Sequence, residues 1–228
     1  RQVWNVAATG SDAFVPSPAL RWDSQGERVH YGAFLCGAEL FDNKAFSIPS
    51  PEASAMDPQQ RMLLEVGYEG LHGAGLLRSR LAESNVAVYV GVMNTEFRDA
   101  LPHVSAYAMT GTGHCFAAGR ISYVLGLHGA CEAIDVACSA ALVACHNARR
   151  AVQMHDCQDA LLAGVNMMFV PATLDGYTAA GLTSPSGKSF VFDARADGFV
   201  RGEACGAGVL QASALEASVL VAGSAVRQ

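Results

Sequence analysis

Charge is scarce in this chain: 16% of its 228 residues are Asp, Glu, Lys or Arg, while 51% are hydrophobic. An average soluble domain carries about 25% charged side chains, so the usual cover for a wetted surface is thin. Long apolar runs are missing too. The longest apolar stretch, Ala160 to Ala172, is broken by Gly164 and Asn166 and ends beside Pro171, whereas a membrane span needs ~20 uninterrupted apolar residues. There is no basic stripe, because 15 Lys+Arg stand against 21 Asp+Glu for a net charge of -6. Neither nucleic acid nor an anionic membrane surface is therefore an expected partner. High hydrophobicity with little net charge also excludes disorder.

The chain contains no C-x-x-C pair, no N-x-S/T sequon, no internal repeat and no linker-like tract. Its seven cysteines are odd in number, and Arg1 to Gly10 lack an apolar signal core. These features predict reduced thiols in a cytoplasmic compartment and one compact unit. The low charge then implies a large core, or a surface that belongs against something else.

The first fifty residues are punctuated by Pro16, Pro18 and Pro49, with aromatics at loop-like spacing (Trp22, Tyr31, Phe34, Phe41). They read as a coat over a core. A helix is predicted to start at Asp57-Pro58, with Asp57 as N-cap and Pro58 at the first helical position. Met62, Leu63, Val66 and Leu71 would form its apolar face, and it should stop near Gly73 or Gly75. Asn85 to Met93 is Val-rich and reads as a buried central strand. A helix over 113–125 and a short strand over Cys131 to Val136 follow. From Ser139 to about Met154 a helix is expected that is nearly apolar in its first turns and buried on all sides. Asp159 to Val165, Gly206 to Leu210 and Val219 to Ala225 read as further strands. Strands alternating with helices predict a layered α/β fold with a mixed sheet.

Chemistry concentrates at Asp135-Val136-Ala137-Cys138-Ser139-Ala140-Ala141-Leu142, a strand running through a sharp turn into a helix. Backbone N–H groups and the positive end of the helix dipole converge at such a turn. A cysteine there favours the thiolate, and its own N–H can hold a developing oxyanion. Spacing alone leaves two readings open for Cys138, a nucleophile or a small buried hydrophobe.

The stretch around Cys138 resembles the active-site motif of β-ketoacyl synthases, the condensing enzymes of polyketide and fatty-acid synthases. Other blocks agree in order: Asp57-Pro58-Gln59-Gln60-Arg61 with Leu63-Leu64-Glu65, and Gly111-Thr112-Gly113 with Ala118-Gly119-Arg120-Ile121-Ser122-Tyr123. Ala163-Gly164-Val165-Asn166 and Phe192 through Glu203 complete the set. Arg21-Trp22-Asp23 points to the ketosynthase domain of type I polyketide synthases. The resemblance implies a thiolase-like layered α/β/α fold, of which this chain is mainly the N-terminal half with a mixed five-stranded sheet. It also implies a homodimer in which the segment from Met109 to Cys115 lies near the partner's acyl tunnel. Cys138 would take an acyl chain from the phosphopantetheine thioester of an acyl carrier protein, with decarboxylative condensation onto a malonyl unit to follow. No bound cofactor or metal is implied.

The family's two decarboxylating histidines sit in His-Gly-Thr-Gly-Thr and Gly-His motifs of its second half, and neither motif occurs in these 228 residues. The glycine-containing first strand of the family is also missing. Residues 1–228 are thus expected to be part of a domain, its missing C-terminal half a partner, and unable to complete condensation alone. His114, His128, His146 and His155 do not substitute: His146 lies two turns from Cys138, and each reads as a satisfied or surface histidine. Cys131, Cys138 and Cys145 lack a zinc-ligand spacing, and the glycines at 202, 206 and 208 lack the Lys-Ser/Thr of a phosphate loop. Two other functions fit the same residues, a non-catalytic dimerisation scaffold and another thiolase-fold acyltransferase.

Overall fold

A computed structural model describes residues 8–19, 21–22, 31–101, 105–212 and 219–227. Asp23 and most of the stretch scanned for a signal core lie outside the described residues. In place of one compact unit there are two, Arg1–Gly37 with Met167–Glu203 and Ala38–Asn166 with Ala204–Gln228. No linker marks them in the sequence because each is assembled from two separate stretches.

The strands are β1 (Val15–Pro16), β2 (Tyr31–Ala33), β3 (Val86–Val92), β4 (Cys131–Ile134), β5 (Asp159–Asn166), β6 (Arg201–Gly202) and β7 (Ala204–Gln211). The helices are α1 (Ser50–Ala55), α2 (Pro58–Gly73), α3 (Arg78–Leu81), α4 (Phe97–Ala100), α5 (Ala108–Thr112), α6 (His114–Leu125), α7 (Ala140–Gln153) and α8 (Pro171–Ala179).

The smaller unit holds a sheet ordered β1-β2-β6, in which β1 and β2 are antiparallel and β2 and β6 parallel. Its apolar centre is Trp22, Met168 and Leu174 with Phe34 against them. Glu203 ties the unit together. Its Oε2 accepts from Arg21 Nη2 at 2.6 Å and from the Leu35 N–H at 2.8 Å, its Oε1 accepts from the Met168 N–H at 3.0 Å, and its own N–H donates to the Ala33 carbonyl at 2.8 Å.

The larger unit is built on a sheet ordered β4-β3-β5-β7, parallel except for β7. All seven residues of β3 are buried, as a strand covered on both faces requires. Alternate residues divide between two cores. Val86, Val88, Val90 and Val92 join the cluster that includes Leu63, Leu64 and Leu71 of α2 and Ile121 and Leu125 of α6. Ala87 and Tyr89 point into the other, with Ala144, Ala148, Ala151 and Val152 of α7. Helices on both faces of one sheet make the predicted α/β/α layering. Helix α2 starts as expected, Asp57 accepting from the Gln59 N–H at 2.8 Å with Pro58 following. Its buried stripe runs through Leu63, Leu64, Gly67 and Leu71, while Met62 and Val66 are half-buried.

Two sequence expectations fail in this unit. Helix α7 is buried only along Ala140, Ala144, Ala148, Ala151 and Val152, and Leu142 is 76% exposed. One side of α7 packs on the sheet, and the other is left largely open around Leu142. Val219 to Ala225 forms no strand. Instead, the Arg149 side chain donates to the Ala222 carbonyl at 3.2 Å and His146 Nδ1 lies 3.0 Å from Ser224 Oγ, so this segment runs over α7. The sheet of the larger unit accordingly has four strands among the described residues, where five were expected.

Candidate active site

Cys138 stands at the corner between β4 and α7, and its side chain is exposed. The corner is shaped locally. Asp135 Oδ1 accepts from the Ala137 N–H at 3.0 Å, Ser139 Oγ donates to the Val136 carbonyl at 3.0 Å, and the Ala140 N–H donates to the Ala137 carbonyl at 3.1 Å. Ala137 takes φ of +54, a left-handed conformation that costs an alanine roughly 1 kcal/mol. Backbone strain of this kind clusters at functional sites. Ser139 is the N-cap of α7 without a side-chain cap bond, which leaves the positive helix end open toward Cys138.

Two glycines that sequence reasoning did not single out for this task set the height of the corner. Gly91 of β3 and Gly164 of β5 are partners in register, and α7 lies directly on them. A Cβ at Gly164 would come within 2.7 Å of Ala141 Cβ, and one at Gly91 would collide with the backbone of Ala140 and Ala141. With alanines lining the rest of the contact, the helix start seats on the sheet almost main chain to main chain. The available signal was Gly91 interrupting a Val-rich strand, the usual mark of a close backbone approach.

The other cysteines differ. Burial pushes the Cys205 thiol up to about 12 and raises that of Cys157 as well, so neither supplies a thiolate near neutrality. Cys36, Cys115 and Cys131 are exposed and Cys145 is half-buried. None of these follows a strand into a helix start as Cys138 does. The Cys138 thiol makes no hydrogen bond among the described residues, and none of the histidines there pairs with it. His128 and His155 are exposed and His146 meets Ser224. His114 departs from expectation: it is half-buried, and its Nε2 is buried with no hydrogen-bond partner among the described residues. No cluster of three metal-ligating side chains occurs among the described residues, and no helix there is long and apolar enough to cross a membrane.

A strand, a strained turn bearing an exposed cysteine, and a helix seated on glycines define a condensing-enzyme architecture, and comparison with known proteins agrees. Residues 1–215 match the family model described as "Beta-ketoacyl synthase, N-terminal domain"; the chain belongs to the β-ketoacyl synthase family. A phenolphthiocerol/phthiocerol polyketide synthase of Mycobacterium tuberculosis is 40% identical over 248 residues, covering 99% of this chain and 16% of the relative's length. The non-reducing polyketide synthase nvfA of Aspergillus novofumigatus is 38% identical over 219 residues, covering 92% of this chain and 10% of its own. Among solved structures, the ketosynthase from module 6 of the bacillaene synthase of Bacillus subtilis 168 superimposes with a TM-score of 0.84 at 36% identity. That match covers 92% of this chain and 36% of that one. The fold is therefore thiolase-like, and the chain spans well under half the length of the proteins it matches.

Proposed function

We propose that Cys138 is the acyl-accepting nucleophile of a polyketide synthase ketosynthase domain. The observation that carries this reading is the turn itself, with Cys138 exposed between left-handed Ala137 and the uncapped start of α7. The thiolate attacks the carbonyl of an acyl thioester on the phosphopantetheine arm of an acyl carrier protein. The Cys138 N–H, at the positive end of the α7 dipole, faces the oxyanion of the tetrahedral intermediate. Collapse breaks the carbon–sulfur bond to the carrier, whose thiolate leaves and takes a proton, and the acyl group remains on Cys138. Exchange between two sulfurs is nearly balanced, so positioning and oxyanion stabilisation are what the turn must supply.

In the second half-reaction a malonyl unit loses carbon dioxide, the resulting enolate attacks the acyl-Cys138 carbonyl, and the thiolate is released as a β-ketoacyl carrier forms. The histidine motifs that the family uses for that step do not occur in these 228 residues. Exposed Met109 (75%), Tyr123 (87%) and Leu142 (76%) support a second copy and the rest of the same domain as partners. Seven unpaired cysteines support a cytoplasmic setting.

Incubating the protein with an acyl-pantetheine thioester and mapping adducts by mass spectrometry tests the assignment. The acyl mass is expected on the peptide containing Cys138 and should vanish in Cys138→Ala. Acylation that persists in that variant, or settles on Cys36 or Cys115, would overturn it. No adduct from the intact protein would favour the scaffold reading.

A further inference from the structure

One peptide plane at the Cys138 corner is held at both ends by side chains. The peptide joining Val136 to Ala137 donates its N–H to Asp135 Oδ1 at 3.0 Å, and its carbonyl accepts from Ser139 Oγ at 3.0 Å. This plane leads directly into Ala137, whose φ of +54 is one that an alanine leaves when it can. The flanks of the turn are fixed. Upstream, β4 is paired with β3 as far as Ile134 opposite Gly91. Downstream, the Ala140 N–H is bonded to the Ala137 carbonyl, α7 is seated on Gly91 and Gly164, and Asn147 Nδ2 donates to Glu132 Oε2 at 3.2 Å, which fastens α7 back to β4. With both flanks held, the direct way to relax Ala137 is for the 136–137 plane to turn over. That flip would bring φ into the ordinary negative range and break both side-chain bonds at once.

We propose that Asp135 is a positioning residue for Cys138, a role that rests on Cys138 being the nucleophile: together with Ser139 it locks the 136–137 peptide against this flip. Asp135 serves here as a hydrogen-bond acceptor, and an asparagine would offer the same oxygen at the same place. Asp135 and Ser139 are both exposed, so each bond alone contributes modestly. They restrain one plane, however, and the loss of either loosens it. The next peptide along the chain carries the Cys138 N–H assigned above to the oxyanion. An unlocked plane disturbs that donor while the sulfur stays open to solvent, so acyl transfer suffers more than a reaction that needs only the thiolate.

Two rates measured on the intact protein separate positioning from folding: acylation of Cys138 by an acyl-pantetheine thioester and its alkylation by iodoacetamide, both followed by mass spectrometry. In Asp135→Ala acylation should slow about fivefold, the effect of one lost hydrogen bond, while alkylation changes less than about twofold. Ser139→Ala should show the same split, and Asp135→Asn should restore acylation to the wild-type rate or above. An unchanged acylation rate in Asp135→Ala, equal losses in both rates, or no rescue by Asp135→Asn overturns the lock. Backbone NMR tests it independently of acylation. The Ala137 shifts should report a positive φ in the wild type and in Asp135→Asn, and move toward negative-φ values in Asp135→Ala; shifts that stay put in Asp135→Ala sink the lock. If the wild type takes no acyl group on Cys138, the nucleophile reading fails, and with it the positioning role, whatever the NMR comparison shows of the lock.

Discussion

Helix α2 begins with its donors answered, Asp57 accepting from Gln59, Pro58 filling the position that needs no N–H, and the whole start buried. Helix α7 begins with no side-chain cap, a left-handed alanine just before it, and an exposed cysteine at the corner. Both rest on the same sheet, on opposite faces. A helix start capped by a buried side chain serves the fold, whereas one with no side-chain cap beside an exposed thiol can face a ligand. The contrast separates a structural helix start from the one proposed to carry the nucleophile, without reference to any motif.

The strongest test of that contrast removes the seat of α7. Gly91→Ala should cost about 3 kcal/mol or more in urea unfolding, at the upper end for overpacking, since its methyl meets backbone. It should also abolish Cys138 acylation, because α7 must lift. Retained stability would mean that α7 is not pinned there.

A second pair of variants sharpens the comparison. Asp57→Ala should lose about 1–2 kcal/mol at pH 7, the range for a removed N-cap. Ser139→Ala should lose no more than about 0.5 kcal/mol, because its hydroxyl donates to the Val136 carbonyl and caps no helical N–H. Equal losses in chemical denaturation would erase the distinction between the two helix starts.

The smallest effect is expected at Ala137. Replacement by glycine relieves the left-handed strain but frees the unfolded chain, so stability should rise by at most about 0.5 kcal/mol. A loss above about 1 kcal/mol in thermal unfolding would show that the alanine methyl, and not its backbone angle, matters.

Much of the larger unit was legible because its signals are local. The Asp57-Pro58 start, the Val-rich β3, and the strand–turn–helix around Cys138 each fit within a dozen residues. Sequence reasoning failed where structure depends on distant partners. The two- and three-residue strands β1, β2 and β6 carry no periodicity to detect. Glu203 gathers Arg21, Leu35 and Met168 from 182, 168 and 35 residues away. The exposed side of α7 was misjudged for a related reason. An alanine-rich helix shows the same composition whether one side or every side is covered, and only the neighbours distinguish the cases.

The paired glycines beneath Ala141 have a consequence for precision. A reactive group perched on packed side chains inherits their rotamer freedom, and its height shifts whenever one of them repacks. Here the spacer between sheet and helix is peptide backbone, whose dimensions are set by covalent geometry and vary little. The sulfur of Cys138 is therefore gauged from the sheet as if by a machined shoulder, and core substitutions elsewhere in the unit can change stability without moving it.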